Sequence, residues 1–423
     1  MRGRVGFKVR GRPQSPRTEH RAGHRRSPSG HGRGRMMAGN SATPDTPGGA
    51  RQESIAAVSS SLPLAARVIS EGFLPARSAL LQGPGSPVTG AVAPDRIRGM
   101  LLGLAIGDAL GNTSEGMSPT DRAGACGEVR DYLPNRHAGG RRVGLPSDDT
   151  QLAYWTLESL LERGDLDPED LATRFAGQQI FGIGDTVRRF LANRANGVAP
   201  WYRCGVESAG NGALMRMAPL VLPHAAGTSA ALWLDAALAS IVTHRDACSV
   251  ASCVALADLL GQLLRLSGPP SPEWMLERFL GTVRQVCTDQ RYRPRGGRFV
   301  GRDDSFPDYL EFVLGQARAH RWSSRDACEA WYSGAYLLET VPSVLWILAG
   351  HAHDAEEAIV RAVNDTRDND SVAAIVGAAV GALHGESALP PRWLAGLAGR
   401  TQASDDGQVF RLAAAAARRE WSC

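Results

Sequence analysis

Two acidic runs carry the side chains with the clearest chemistry in this chain. They are Ser147-Asp148-Asp149-Thr150 and Asp365-Thr366-Arg367-Asp368-Asn369-Asp370-Ser371. A third acidic segment is Gly107-Asp108-Ala109-Leu110-Gly111, with Glu115 just beyond it. Each lies where a helical pattern starts or stops, not along a solvated face. Adjacent Asp148 and Asp149 repel unless positive charge lies close by, and Asp368 and Asp370 pose the same problem two residues apart. A helix N-terminus relieves part of the repulsion, by about 0.3–1 kcal/mol per carboxylate. Anionic oxygens beside hydroxyls are what a hard divalent cation takes as ligands. Two such clusters could hold two cations roughly 3.5–4 Å apart with a water between them. The competing reading is ordinary capping, since Ser and Asp before a helix are common N-caps.

The elements that must position these residues read as helices. Apolar residues Ile97, Leu101, Leu102 and Leu104 form a stripe with Gly99, Gly103 and Gly107 interleaved at every fourth position. Small residues at that spacing let another helix come close. Residues 371–383 repeat the pattern with Ala374, Gly377, Ala378 and Gly381. Helical periodicity also covers 150–163, with Ser147 as its N-cap and Gly164 as its stop. Further helices are expected at 230–242, 247–266, 327–350 with an interruption at Pro342, 355–363 and 409–420. Alternating runs of β-branched residues are too short to predict strands. The expectation is an all-α chain with one compact domain over 94–423.

Composition divides the chain in two. Residues 1–35 carry a net charge of about +10, and the remainder about −6, within a total of +4. The body is therefore mildly acidic, which argues against a nucleic-acid-binding globular domain. Residues 1–50 are rich in Gly, Pro and Arg with one aromatic residue, Phe7. Such a segment buries too little apolar surface to offset its conformational entropy. Residues 1–93 are expected to be a disordered basic extension, with a weak helix over 55–70 and Met36 or Met37 as alternative starts. No run approaches the roughly 20 apolar residues of a membrane span. Seven scattered cysteines without C-x-x-C spacing fit a reduced, cytoplasmic setting.

The acidic clusters, in their order, resemble those of the ADP-ribosylglycohydrolase family, of the dinitrogenase reductase-activating glycohydrolase type. Four segments carry the resemblance. They are Arg98-Gly-Met-Leu-Leu-Gly-Leu-Ala-Ile-Gly-Asp-Ala-Leu-Gly with Glu115; Ser147-Asp-Asp-Thr-Gln; Ser208-Ala-Gly-Asn-Gly-Ala-Leu-Met-Arg-Met-Ala-Pro; and Arg367-Asp-Asn-Asp-Ser. Thr243-His244 matches a further family position. The resemblance implies a single orthogonal helical bundle with a binuclear Mg²⁺ or Mn²⁺ centre. Carried over, the metal ligands are Ser147, Asp148, Asp149, Asp368, Asp370 and Ser371. Glu115 matches a glutamate on a mobile loop, and Glu115, Asp149 and Asp370 are the implied catalytic residues. Ser208, Gly210, Asn211, Gly212 and His244 match substrate-binding positions, with residues 208–212 wrapping a diphosphate through backbone N–H groups. Asp108 is expected to hold the loop that leads to Glu115. Met215 and Arg216 are expected to serve packing and a structural ion pair.

One departure stands out. Many family members have Phe-Asp-Ile-Gly where this chain has Phe181-Gly182-Ile183-Gly184, which puts an arginine-linked substrate in doubt. Residues 290–305, with five arginines, read as a solvated loop, or else as a basic rim near an acidic substrate. The implied function is metal-dependent hydrolysis at C1″ of ADP-ribose, most simply on a modified protein side chain. The alternatives are a small ADP-ribose-linked metabolite as substrate, or a non-catalytic ADP-ribose-binding or immunity protein. The expected partners are ADP-ribose or an ADP-ribosylated protein, with no membrane, no nucleic acid and a monomeric chain.

Overall fold

Helices that are apolar on every side must lie inside a protein, and two segments of this chain have that character. The computed structural model describes residues 61–85 and 89–421. The described chain begins with α1 (Ser61–Ser70) and α2 (Ser78–Gln82) and reaches α3 (Pro94–Gly111) and α4 (Pro119–Cys126). Next come α5 (Asp148–Arg163), α6 (Pro168–Gly177) and α7 (Asp185–Ala195). The middle of the chain holds α8 (Ala230–Ile241), α9 (Ala247–Leu263), α10 (Pro272–Val286), α11 (Phe306–Ala319) and α12 (Ser324–Ala330). The last group is α13 (Leu337–His351), α14 (Ala355–Asp365), α15 (Asn369–His384), α16 (Pro391–Gly396) and α17 (Gln408–Arg418). The described strands are β1 (Arg291–Tyr292) and β2 (Asp304–Ser305), paired antiparallel with Arg291 opposite Ser305. The fold is all-α.

The two inner helices are α3 and α15. Both are buried on all sides over most of their length. They run antiparallel, with Gly99 against Gly381, Gly103 against Gly377 and Gly107 against Ala373. A Cβ on Gly103 would strike the Gly377 carbonyl, and one on Gly377 would strike that of Gly103. The interleaved glycines therefore make a backbone-to-backbone contact. Its geometry sets the site: at the last turn of α3, a Cβ on Gly111 would lie 2.5 Å from the Cα of Asp370.

Surrounding helices start at explicit caps. Ser118, Ser271, Ser305 and Ser323 each accept a backbone N–H from the first turn of the helix that follows. The predicted segments at 150–163, 230–242, 247–266, 355–363, 371–383 and 409–420 all fall on observed helices, with ends shifted by a few residues. Pro342 does not interrupt its helix. It sits in the second turn of α13, where only one hydrogen bond is lost. The break falls instead at 331–336, where Tyr332 and Ser333 have left-handed backbone (φ 79° and 48°).

Residues 61–85, assigned from composition to the extension, form α1 and α2. Ala65, Val68, Leu74 and Leu80 are buried in the core. The weak helix expected over 55–70 corresponds to α1, and its first six residues lie outside the described residues, as does the basic segment before them. Among the described residues no helix is long and apolar enough to cross a membrane.

The glycine contact makes a direct prediction. Gly103→Val should cost about 3 kcal/mol or more through overpacking, read from the urea midpoint. Gly350→Ala, on an exposed turn of α13 with nothing within 4 Å of the new methyl, should be neutral or add roughly 0.5–1 kcal/mol. Parental stability in Gly103→Val would contradict the packing described.

Candidate active site

Asp108, at the start of the last turn of α3, organises the start of α5 across the fold. Its Oδ2 accepts the backbone N–H groups of Ser147 (2.8 Å) and Thr150 (3.1 Å) and the Thr150 hydroxyl (2.5 Å). Its Oδ1 accepts the Ser147 hydroxyl (2.7 Å) and the Asn112 side-chain amide (3.0 Å). The carboxylate is fully buried. It therefore caps α5 from another helix, a task the sequence assigned to Ser147. The Ser147 side chain makes no capping bond, and neither does that of Asp368 before α15. Plain capping thus does not account for either acidic run.

The freed carboxylates converge where the N-termini of α5 and α15 meet the C-terminus of α3. One oxygen each from Glu115, Asp368 and Asp370 lies within 4.8 Å of the others. Asp149, Asp368 and Asp370 are buried, Asp148 is half-buried and Glu115 is exposed. Burial pushes the Asp149 carboxyl well above the usual range, and Asp370, Asp108, Asp148 and Asp368 push it further. Asp370 is raised in the same way by burial and by Asp368 and Glu115. Asp148 is raised by burial and Asp108, and Asp368 is pushed up to about 7, mainly by burial. Glu115 is raised by loss of water and by Asp108. One buried oxygen, Oδ1 of Asp149, has no hydrogen-bond partner among the described residues. Clustered hard oxygens with an orphaned acceptor and little opposing charge suit divalent cations.

Two loops hold the carboxylates in place. The Ser333 carbonyl accepts the N–H of Arg367 (3.2 Å) and of Asp368 (3.0 Å), which its left-handed backbone makes possible. Asn211 donates its side-chain amide to Asp368 Oδ2 and to Thr340 Oγ1. The turn bearing Glu115 is pinned by Arg122 of α4, which is fully buried. Its guanidinium donates to Ser114 Oγ (3.0 Å), Met117 O (3.1 Å) and Thr366 O (2.8 Å).

The acidic cluster forms the floor of a cavity of about 620 Å³. Eleven of the twelve expected site residues line it: Glu115, Asp148, Asp149, Ser208, Gly210, Asn211, Gly212, His244, Asp368, Asp370 and Ser371. Ser147 lies behind, its hydroxyl spent on Asp108. In the 208–212 loop, the Gly210 N–H already donates to Ser208 Oγ (3.2 Å) and the Asn211 N–H to Ala335 O (3.2 Å). That leaves fewer free N–H groups for an anion than the sequence suggested. Part of the basic 290–305 loop reaches the cavity through Gln290, Tyr292 and Arg295. Arg291 and Arg293 pair with Asp303, and Arg302 pairs with Asp304. Arg295 instead stacks on Tyr336, 4.2 Å from the ring centre. Gly182, at the departure from the family pattern, has φ 72°, and a Cβ there would lie 2.9 Å from Asp148 Oδ1.

The ADP-ribosylglycohydrolase family model matches residues 89–421. The chain belongs to the ADP-ribosylglycohydrolase family. One relative within it is the ADP-ribosylarginine hydrolase Tri1 of Pseudomonas putida, 29% identical, with 74% of this chain and 77% of the relative covered. Another is the ADP-ribosyl-[dinitrogen reductase] glycohydrolase of Rhodospirillum rubrum, 27% identical, with 78% of this chain and 99% of the relative covered. A solved structure titled an ADP-ribosylglycohydrolase-related protein complex superposes with a TM-score of 0.56 at 31% identity, covering 77% of this chain and 98% of its own.

Three further residues at or near the cavity lay outside the residues that the sequence pointed to. Asp246 lines the cavity, caps α9 and accepts the Tyr292 hydroxyl (2.8 Å). Its place just before an apolar helical run was the available signal. Glu339 of α13 is buried, accepts the Arg295 N–H (3.2 Å), and is pushed up to about 7 by burial. Arg122 gave no signal, because its acceptors include carbonyls more than two hundred residues away.

The raised carboxyls give a pH prediction. A group whose folded pKa exceeds its unfolded value binds more protons when folded, so stability falls as pH rises between the two. With cations removed by EDTA, the melting temperature should fall as pH rises from about 4 to about 7, the window set by Asp368. Adding Mg²⁺ or Mn²⁺ should raise it most at the upper end. Scanning calorimetry with and without EDTA checks both, and a flat EDTA profile would contradict the description of the cluster.

Proposed function

We propose that this chain is a divalent-cation-dependent hydrolase that cleaves the glycosidic bond at C1″ of ADP-ribose and frees a modified protein side chain. The observation that carries the reading is the carboxylate cluster on the cavity floor. It has a buried orphan oxygen on Asp149 and no basic side chain among its bonds, and it sits in a chain of the ADP-ribosylglycohydrolase family. Asp148, Asp149, Asp368, Asp370, Ser371 and Glu115 would hold two cations, Mg²⁺ or Mn²⁺. Bound cations supply Lewis acidity and positive charge for hydroxyl oxygens of the ribose.

The remaining work falls to the chain itself. Glu115 faces the cavity from a pinned turn, a position suited to proton transfer to or from the attacking water or the leaving group. Positive charge grows on the ribose ring in the transition state, and the anionic floor stabilises it. The 208–212 loop and His244 bind the nucleotide side. Arg295, stacked but not ion-paired, offers positive charge to the diphosphate. Gly182 brings no carboxylate to the acceptor side, which argues against an arginine-linked substrate.

The test is release of ADP-ribose from a panel of linkages with Mg²⁺ or Mn²⁺, with EDTA, and in Asp370→Asn and Asp149→Asn. Chelation or either variant should lower the rate roughly 10²- to 10³-fold. Equal rates throughout would sink the cation-dependent mechanism, and ADP-ribose binding without turnover of any linkage would favour a binding protein. Arg295→Ala should raise KM several-fold with kcat little changed, and an unchanged KM would remove Arg295 from substrate binding.

A further inference from the structure

A fully buried guanidinium ordinarily meets a carboxylate. Arg216 does not, and the sequence expectation of an ion pair fails there. The side chain is fully buried and lies over the Phe175 ring, 5.0 Å from its centre. One nitrogen donates to Ala239 O (2.8 Å) and to Thr243 Oγ1 (3.0 Å). Its Nε and other terminal nitrogen have no hydrogen-bond partner among the described residues.

The bond to Thr243 has a consequence one residue on. A guanidinium can only donate, so Thr243 Oγ1 accepts from Arg216 and keeps one proton to give. Thr243 is fully buried, and the other partner of Oγ1 is His244 Nδ1 at 2.9 Å. The hydroxyl proton belongs on that bond, because the opposite arrangement strands a buried O–H without an acceptor. Nδ1 is then the accepting nitrogen, and the ring proton sits on Nε2. Burial and the nearby Arg216 charge both hold the ring neutral, its pKa drawn down to about 3.

The Nε2 edge looks onto the glycines of the 208–212 loop. A Cβ on Gly210 would lie 3.5 Å from Nε2, and one on Gly212 would lie 3.3 Å from it. The missing side chains keep that space open, and His244 lines the cavity there although it is 98% buried (2% exposed). Backbone bonds hold the two segments together, with Val206 N–H on Thr243 O (2.9 Å) and Arg245 N–H on Val206 O (2.8 Å).

We propose that Arg216 and Thr243 are positioning residues that hold His244 as a neutral Nε2–H donor, which binds an oxygen of the ADP-ribosyl group. The ligand rests on the functional reading above, whereas the relay rests on geometry alone. An imidazole held this way gives one directed N–H and no charge, so it selects an acceptor oxygen without competing with the acidic floor for cations.

The experiment is ¹⁵N NMR of the histidine rings in the full chain, paired with calorimetric titration of ADP-ribose. Wild-type His244 should show the Nε2–H tautomer. Thr243→Val keeps the shape and deletes the hydroxyl, so the Nδ1–H form should grow in and ADP-ribose affinity should fall about tenfold. Thr243→Ser should restore both, which a purely steric role for the threonine would not require. A wild-type Nδ1–H ring, or a Thr243→Val protein with unchanged tautomer and affinity, would overturn the relay. A wild type with the Nε2–H ring that binds no ADP-ribose would overturn the ligand and the functional reading while leaving the relay standing.

Discussion

Two helices can meet backbone to backbone only where neither carries side chains at the contact. In α3 and α15 that condition holds where Gly99 meets Gly381 and Gly103 meets Gly377, and the seam continues with glycine on α3 alone where Gly107 meets Ala373 and Gly111 meets Asp370. The seam sets the depth and the register of the site together. It puts Asp108 one turn from the end of α3, within reach of the first residues of α5, and puts Asp370 against Gly111. A larger residue in the seam would push α15 outward, and the carboxylates on its first turn would go with it. The chemistry at one end of the helix pair thus depends on packing along its whole length.

Electrostatics then divides the labour. Asp108 spends its charge on two backbone N–H groups, two hydroxyls and one amide, so it serves architecture. The other carboxylates are left with fewer donors and raise one another's proton affinity. Two helix N-termini point toward them, but a dipole of this kind offsets only a fraction of several like charges. An array of mutually repelling carboxylates is suited to a cation. The cavity wall above is of another kind, lined by glycines, a buried histidine and an arginine stacked on Tyr336.

Much of this was legible in the sequence, because it is written in local patterns. Small residues four apart marked the inner helices, and acidic pairs at helix starts marked the floor. Eleven of twelve expected residues share the cavity. What escaped depends on distant partners. Ser147 looked like a cap because its neighbours suit one, yet Asp108, 39 residues earlier, takes its hydroxyl. Arg216 looked like half of an ion pair, and only the fold shows that its partners are a ring, a carbonyl and a threonine. Composition averaged over a long extension hid the part that α1 and α2 play in the core, to which they contribute Ala65, Val68 and Leu80.

The clamp around Glu115 couples its turn to two elements. Arg122 ties the turn of residues 114–117 to the carbonyls ahead of Asp368, and Asn369 adds bonds to Gly111 O and Ser114 Oγ. Swinging that turn away alone would take Ser114 and Met117 from the buried guanidinium and leave it only the carbonyls of Asn364 and Thr366. The turn bearing Glu115 is therefore tied at once to α4 and to the chain ahead of α15, and it cannot move from either without breaking these bonds.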